Sequence, residues 1–161
     1  SKPTDPQILA GTALLALALA EAERPELARP LLDQVIVDSA ITFPANNFRT
    51  AAIALFGGVA ALYGSGLQRR VFRQALEPKA NQFCVFGAGG AVFGTNHHWL
   101  ARLALADGET ATAAEHLHAA AQMCDSAGAT FWAERARSEL VGLDNDEPSL
   151  RPRRPDWQKE T

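Results

Sequence analysis

The segment WLARLALADGETATAAEHLHAAAQM, residues 99–123, decides the fold class. Asp107-Gly108-Glu109 is a turn signal, and the residues on both sides of it are rich in alanine and leucine. After the turn, small and apolar residues recur at spacings of three and four, which predicts one face of an α-helix. They are Ala113, Leu117, Ala120, Ala121 and Cys124. The segment therefore predicts a helical hairpin, whose first helix runs from about Asn96 to Ala106.

Other segments of the chain carry the same helical signals. Pro25 can open a helix at little cost, Pro78 ends one, and Gly128 can cap another in the left-handed conformation. These signals predict five further helices. Three of them cover residues 7–23, 49–62 and 67–76. The other two are a helix through Leu27, Leu31, Leu32, Val35 and Ile36, and a last helix whose inward face carries Trp132, Ala136, Leu140 and Leu143.

A helix–turn–helix unit occurs three times, and the turns align when Glu23, Gly64 and Gly108 are placed in register. The copies are 41 and 44 residues apart, within the range of helical repeat arrays. Equivalent positions after each turn are Ala28, Arg69 and Ala113; Leu31, Phe72 and His116; and Val35, Leu76 and Ala120. We expect an all-α protein of about seven helices, in which antiparallel hairpins stack as a tetratricopeptide-like superhelix over residues 1–143, without strands. Residues 144–161, rich in proline and charge, are predicted to form a flexible tail.

The composition of the 161-residue chain suits one domain and excludes several classes of protein. The net charge of −3 gives no general attraction to nucleic acid, and two cysteines do not form a disulfide framework. The apolar run at residues 8–20 is shorter than the roughly 20 residues that span a bilayer. These features predict a cytoplasmic protein without a membrane partner and with little affinity for nucleic acid.

The segment FCVFGAGGAVFGTNHHW, residues 83–99, offers an alternative fold, because an apolar run before Gly-Ala-Gly-Gly is typical of a strand that enters a phosphate-binding turn. A dinucleotide fingerprint requires Gly-x-Gly-x-x-Gly, but counting from Gly87 and Gly89 puts Val92 at the third glycine position. The acidic residue expected about twenty positions later would fall in a helical segment. We therefore interpret residues 87–90 as a connector in which glycine permits a sharp turn close to neighbouring helices, and we predict no cofactor.

Four histidines flank the turn at Gly108. His97 and His98 precede it by eleven and ten residues, while His116 and His118 follow it by eight and ten. Residues at equal distances from the turn of an antiparallel hairpin are roughly level, so His98 and His118 are expected side by side as candidate metal ligands. His116 lies at the edge of the apolar seam, where packed histidines are usually bonded to a neighbouring backbone. The stronger expectation is that no metal binds.

The two cysteines are weak candidates for nucleophiles. Cys124 lies on the predicted apolar seam, where a thiol behaves as a small hydrophobic group, whereas Cys84 lies near the glycine-rich segment and is expected to be exposed. Because the sequence places no base beside either thiol, no catalytic residue is predicted and the chain is not expected to be an enzyme.

Three arginines share one predicted helix. Arg69, Arg70 and Arg73 lie within one turn of each other. Two interpretations remain open, a basic patch that binds an acidic peptide and an ordinary solvated face. The RPRRP segment at residues 151–155 is also basic, but the acidic run at residues 144–147 argues against DNA as its partner.

Residues 99–140, which continue the hairpin into CDSAGATFWAERARSEL, resemble the last tetratricopeptide-like hairpin and following helix of large actinobacterial signalling regulators. Those proteins join an AAA-type ATPase core to an adenylate-cyclase-like domain or a LuxR-type DNA-binding end. The matching residues are Gly108, Ala113, His116, Gly128, Ala129 and Trp132. The resemblance covers roughly residues 46–141 and, more weakly, 8–40. Because the chain lacks a Walker-type loop and a LuxR-type helix-turn-helix after Leu143, the resemblance implies neither ATP hydrolysis nor DNA binding here.

The resemblance implies a non-catalytic module that binds a protein, a peptide or neighbouring domains of a larger regulator. Stacked hairpins present a concave surface that suits such binding. An alternative is a small-molecule or metal sensor that uses a cavity between hairpins. The aromatic residues available to line it are Phe48, Phe56, Tyr63, Phe93, Trp99, Phe131 and Trp132. A homodimer formed through an uncapped first hairpin is a third hypothesis.

Overall fold

The computed structural model describes residues 5–87 and 89–145, and these fold mainly into α-helices. In chain order the helices are α1 (Pro6–Glu21), α2 (Pro25–Asp33), α3 (Arg49–Tyr63), α4 (Gly66–Leu76), α5 (Asn96–Ala106), α6 (Thr110–Ser126) and α7 (Thr130–Asp144). The predicted all-α class is confirmed. Within the described ranges, no helix combines the length and the apolar character that crossing a bilayer requires. Residues 146–161 of the predicted tail lie outside the described residues.

The helices pack as the predicted helix–turn–helix units. α1 packs on α2, α3 on α4, and α5 on α6, while α7 packs on α6. α1 also packs on α3, and α3 on α5, so the first helices of the three units lie in a row. Glu23 and Gly108, at equivalent turns, both adopt the left-handed conformation, with φ of 56° and 79°. The stacking of these units into a tetratricopeptide-like superhelix stays a prediction.

Two short antiparallel hairpins interrupt the helices, so the prediction of a chain without strands is wrong. β1 (Ile36–Val37) pairs with β2 (Ala40–Ile41), and β3 (Phe83–Phe86) pairs with β4 (Ala91–Thr95). The segment around Gly87 and Gly90, interpreted as a connector between helices, is the turn of the second hairpin. The reason is local: β3 and β4 are apolar, β-prone runs separated by a glycine-rich turn, which is a hairpin signal.

α2 is shorter than the apolar spacing predicts. It ends at Asp33, and Ile36 already belongs to β1. Leu27 is exposed although it belongs to the predicted inward face. Pro30 lies inside the helix, and the β-branched residues that follow Asp33 favour extended backbone, so the helix ends early.

The core consists of two clusters of buried side chains. The first joins α1 to α5 and includes Phe56 and Phe72, whose ring centroids lie 6.5 Å apart. The second is rich in alanine and joins α5, α6 and α7 around Leu117. α5 belongs to both clusters, since it contributes Leu103 to the first and Ala104 to the second. Any change in the position of α5 therefore affects both.

Candidate functional site

Four buried polar residues stand next to one another in the sequence. Within the part of the chain that the structure describes, the buried polar side chains are those of Thr95, Asn96, His97 and His98. Thr95 is the last residue of β4, and the other three form the first turn of α5. Because a buried polar group costs free energy unless it is hydrogen-bonded, this run requires partners from several directions. We call these four residues the polar turn.

Gly94 lets the polar turn approach α7. Its φ of 70° lies in the left-handed region that favours glycine. A Cβ atom here would lie 2.8 Å from Nδ1 of His98 and 3.0 Å from the ring of Trp132. The expected close approach of the glycine-containing segment to neighbouring helices therefore occurs at Gly94. At Gly89, by contrast, a Cβ atom would meet no atom within 4 Å.

Asn96 ties the polar turn to the segment between α4 and β3. Its backbone N–H donates to the carbonyl of Gln82 at 2.9 Å, and its side-chain Nδ2 donates to the carbonyl of Lys79 at 2.8 Å. Both acceptors lie in a connection that includes a 3-10 turn at Glu77–Lys79. The asparagine thus gives the carbonyl of Gln82 a donor and the carbonyl of Lys79 a second one, since the backbone N–H of Gln82 already donates to Lys79 at 3.1 Å.

His97 contacts a second histidine. Nδ1 of His97 lies 2.9 Å from Nδ1 of His116 on α6, and Nε2 of His97 lies 2.9 Å from Oδ1 of Asn81. The side chain of His97 is buried and that of His116 is half-buried. We call His97 and His116 the histidine pair. It links α5 to α6 and to the connection that precedes β3.

The pairing of His98 with His118, predicted as a candidate metal site, is wrong. His98 faces Trp132 of α7, with ring centroids 5.4 Å apart, while His118 is exposed. Counting residues from the turn located the correct level of the hairpin, but successive helical residues point about 100° apart. His97 rather than His98 therefore faces α6. Among the described residues, no group of three or more His, Cys, Asp or Glu side chains is arranged to hold a metal ion.

The side chain of His98 caps the start of α5. The backbone N–H of Thr95 donates to Nδ1 of His98 at 3.1 Å, so the neutral ring carries its proton on Nε2. Nε2 is sealed from solvent, faces the backbone of Trp132 and makes no well-formed hydrogen bond within the described residues. Burial lowers the pKa of His98, and Glu139 opposes that shift.

The histidine pair also resists protonation. Burial lowers the pKa of His97, and the charged forms of His116 and His98 lower it further. Burial is likewise the main reason why the pKa of His116 is lowered. The charged groups that face His116 are Arg73, which also lowers its pKa, and Glu77 and Glu115, which raise it. All three buried or half-buried rings are therefore neutral at pH 7.

Both cysteines are buried, so the prediction that Cys84 is exposed is wrong. Cys84 lies on the inward side of β3 in the first core cluster, and burial raises the pKa of its thiol to about 12. Cys124 lies on the buried seam of α6, as predicted, and burial raises its pKa as well. Neither thiol ionises at neutral pH, so neither has the properties of a nucleophile.

Two of the three arginines of α4 are bound within the chain. Nε of Arg69 lies 2.6 Å from Oδ1 of Asp107, and the two terminal nitrogen atoms of Arg73 each lie 2.8 Å from the carboxylate of Glu109. These ion pairs hold α4 against the turn between α5 and α6. Of the three, Arg70 is the one without a salt bridge to the described residues, and it is exposed. The predicted patch of Arg69, Arg70 and Arg73 is thus reduced to one available cation.

An open cleft of roughly 700 Å³ lies between α2, the β1–β2 hairpin and the turn between α3 and α4. Gln68 donates to Asp33 across it at 2.8 Å. Of the aromatic residues predicted to line a pocket, Tyr63 alone lines this cleft, while Phe56 is fully buried in the core. The cleft is lined by Arg29, Asp33, Ile36, Asp38, Ser39, Tyr63, Gly64, Ser65, Leu67 and Gln68.

Comparison with protein-family models, with curated protein sequences and with solved structures found no match. The resemblance of residues 99–140 to actinobacterial regulators therefore stays a prediction. Any function assigned to the chain rests on its residues and their geometry.

Proposed function

We propose that the chain is a non-catalytic interaction module that binds an apolar helix through the outer side of α1. The observation that carries the proposal is the exposure of four residues on this helix, Ile8, Gly11, Leu15 and Ala18. Ile8 and Leu15 leave 57% and 54% of their surface open to solvent. The four recur at spacings of three and four, so they share one side of the helix. We call them the α1 face.

The α1 face is suited to an uncharged partner. No charged residue occurs from Pro6 to Ala20, so the face offers nothing to an acidic or a basic peptide. Contiguous apolar surface that is exposed to water is a common mark of an interaction site. A partner gains free energy here by removing apolar area from water, at about 25 cal/mol per Å².

α3 indicates which kind of partner fits. It resembles α1 in composition, and its residues Ala51–Ala61 are all buried because α1 packs on one side and α5 on another. α1 has α2 and α3 as neighbours, and none of the described elements covers the α1 face. The matching occupant is another alanine-rich helix. At Gly11 a Cβ atom would meet nothing within 4 Å, which leaves room for a side chain of that partner.

The remaining sites support a non-catalytic role. The thiols of Cys84 and Cys124 are buried with raised pKa values, and the histidine pair serves hydrogen bonds inside the fold. The resemblance of residues 99–140 supports a place in a cytoplasmic signalling or transcriptional regulator. The partner helix then belongs to a neighbouring domain or to another protein.

Photo-crosslinking tests this function. We would replace Leu15 with p-benzoylphenylalanine in the natural host and identify adducts by mass spectrometry, with the same substitution at Val141 as control. Val141 is an exposed apolar residue of α7, at 58% exposure, so it matches Leu15 in accessibility. We expect one recurrent adduct, to an uncharged helical segment, at position 15 and not at position 141. Equal, scattered adducts at both positions would refute the proposed interface.

The same substitution separates the possible sources of the partner helix. If position 15 crosslinks to a second copy of the chain, sedimentation velocity should show a dimer that Leu15→Glu dissociates. If it crosslinks to another protein, the purified chain should sediment as a monomer, and the isolated partner segment should bind it with at least tenfold lower affinity after Leu15→Glu.

The open cleft favours a second candidate function, a small-molecule sensor. Its lining combines Arg29, Asp33 and Asp38 with the apolar surface of Leu67. Thermal-shift measurements with metals, nucleotides and metabolites test this function, with Leu67→Trp as the variant that fills the cleft. A ligand-dependent rise in Tm that disappears in the variant would favour the sensor over the interaction module.

A further inference from the structure

The polar turn lies where the two core clusters meet. α5 contributes Leu100 to the first cluster and Ala101 to the second. At the start of this helix, His97 bonds to α6 through His116, and His98 packs against Trp132 of α7. Two of the contacts that hold α6 and α7 to α5 at this end therefore run through imidazole rings.

We infer that the polar turn forms an acid-sensitive contact, in which proton uptake by His97, His98 and His116 releases α6 and α7 from the start of α5. The inference goes beyond the proposed interaction function, because it concerns how the chain changes its own packing rather than what it binds. It rests on how many protons each contact can accommodate.

The contact between the two rings of the histidine pair accommodates a single proton between them. Two bare Nδ1 atoms 2.9 Å apart would repel each other, and two Nδ1–H groups would collide. With Oδ1 of Asn81 accepting from Nε2–H of His97, the neutral His97 ring presents a bare Nδ1. His116 therefore donates from Nδ1–H, and its Nε2 is bare. A first added proton goes to that Nε2 and keeps the contact, whereas a second proton must break it.

The first proton added to His98 breaks its hydrogen bond with the backbone of Thr95. Nδ1 accepts from the backbone N–H of Thr95, and Nε2 already carries the proton of the neutral ring. A charged imidazole has two N–H groups and no acceptor, so it can no longer accept from the backbone N–H of Thr95, and its Nδ1–H can donate only to Oγ1 of Thr95, 3.2 Å away. The backbone N–H of Thr95 then loses its acceptor and faces an N–H group, at a position that Gly94 and Trp132 enclose closely.

The helix dipole and charged groups on several elements affect the protonation of the three rings. His97 and His98 lie in the first turn of α5, where the helix dipole disfavours positive charge. The charged groups that disfavour charge on the three rings are Arg73 from α4, Arg102 from α5 and Arg135 from α7. Those that favour it are Glu77 from the 3-10 turn, Glu115 from α6 and Glu139 from α7.

The direction of the pH effect follows from the lowered pKa values. In the unfolded chain the histidines take up protons near the ordinary pKa of 6.5, whereas the folded chain takes them up only at lower pH. Between these values the unfolded or opened state binds more protons than the closed state. The contribution of the neutral, buried histidines to the free energy of unfolding is therefore fully present above pH 6.5. It is lost as the pH falls through the lowered pKa values of the folded chain.

The experiment measures the free energy of unfolding of the full chain by urea denaturation at several values between pH 7.5 and pH 5. We expect the unfolding equilibrium constant to rise about a hundredfold per pH unit below pH 6.5, since about two protons are taken up. In the double variant His98→Gln/His116→Gln the rise should shrink to about tenfold per pH unit or less, because one buried histidine remains.

The variants retain the hydrogen bonds and remove the titrating rings. Gln68 already accepts from the backbone N–H of Ser65 at the start of α4, and the amide introduced by His98→Gln would accept from Thr95 in the same way. The amide introduced by His116→Gln can donate an N–H to His97. The matched control is His118→Gln on the exposed side of α6, which should leave the pH dependence unchanged. An unchanged pH dependence in the double variant, or a loss of it in the control, overturns the inference.

Nuclear magnetic resonance of the unmodified chain provides an independent readout. Long-range ¹H–¹⁵N spectra at pH 7 should place the proton on Nε2 of His97 and His98 and on Nδ1 of His116. Below pH 6, amide protection factors, in which the pH dependence of intrinsic exchange is corrected for, should fall first in the starts of α5 and α7 and in the turn of α6 at His116. A charged His98 ring at pH 7, or protection factors that fall uniformly along the chain, would also overturn the inference.

Discussion

α1 and α3 have nearly the same chemistry and opposite surroundings. Both are rich in alanine and leucine, and the charged residues of each stand only at its ends, Glu21 in α1 and Arg49 in α3. Residues 51–61 of α3 are buried without interruption, whereas α1 exposes Ile8 and Leu15. The difference lies in the neighbours, since α3 lies between α1 and α5. Apolar composition thus predicts that a helix can be buried, but the extent of its burial depends on which elements pack against it.

The largest expected difference between the two helices is in the cost of truncating a large side chain. Phe56→Ala on α3 should lower the free energy of unfolding by about 3–5 kcal/mol, because the ring is fully buried and stacks on Phe72. Leu15→Ala on α1 should change it by about 0.5 kcal/mol or less, because the side chain is mostly exposed. Urea denaturation at pH 7.5 measures both. Similar losses in the two variants would mean that the α1 face is covered in solution.

One mid-helix glycine from each helix should respond to substitution with the opposite sign. Gly11→Ala on α1 should stabilise the chain by about 0.5–1 kcal/mol, because alanine is the better helix former and a Cβ atom there meets nothing within 4 Å. Gly58→Ala on α3 should destabilise it by about 1–3 kcal/mol, because the Cβ atom would lie 2.6 Å from the ring of Trp99. Differential scanning calorimetry gives the sign directly through Tm. A rise in Tm for both variants would contradict the close packing of α3.

The smallest expected effect concerns the ion pairs that hold α4 against the turn between α5 and α6. Arg73→Gln should cost about 0.2–1 kcal/mol, since its carboxylate partners are partly exposed and the interaction is screened. The loss should shrink in 0.5 M sodium chloride. Arg70→Gln is the matched control, because Arg70 is exposed and forms no salt bridge with the described residues, and it should be neutral. A loss of several kcal/mol for Arg73→Gln would mean that the packing of α4 against the turn between α5 and α6 depends on this ion pair.

The elements that the sequence predicted well are those whose signals are local. α3 and α5 begin where predicted, at Arg49 and Asn96, and α4 ends at Leu76. The β3–β4 hairpin was missed although its two apolar runs and glycine-rich turn are also local. The glycine spacing excludes a parallel, nucleotide-binding strand at this position. It does not exclude an antiparallel hairpin, which needs no following helix.

The candidate site could be predicted only in part. The sequence shows that histidines occur on both sides of the turn at Gly108, and their level along the hairpin follows from counting. Which two of them meet depends on how each helix is rotated about its axis, and that rotation is decided by contacts from three helices. The same limit applies to Arg69 and Arg73, whose acidic partners lie more than thirty residues away in the chain.

Turn residues and apolar spacings act over a few residues, so they are enough to predict that this chain forms helical hairpins. That α3 is enclosed while α1 is not, and that His97 and His98 connect α5 to α6 and α7, follows only from how the helices pack. Those outcomes depend on which surfaces meet across distant parts of the chain, and the local pattern of a helix is the same whether or not a neighbour covers it.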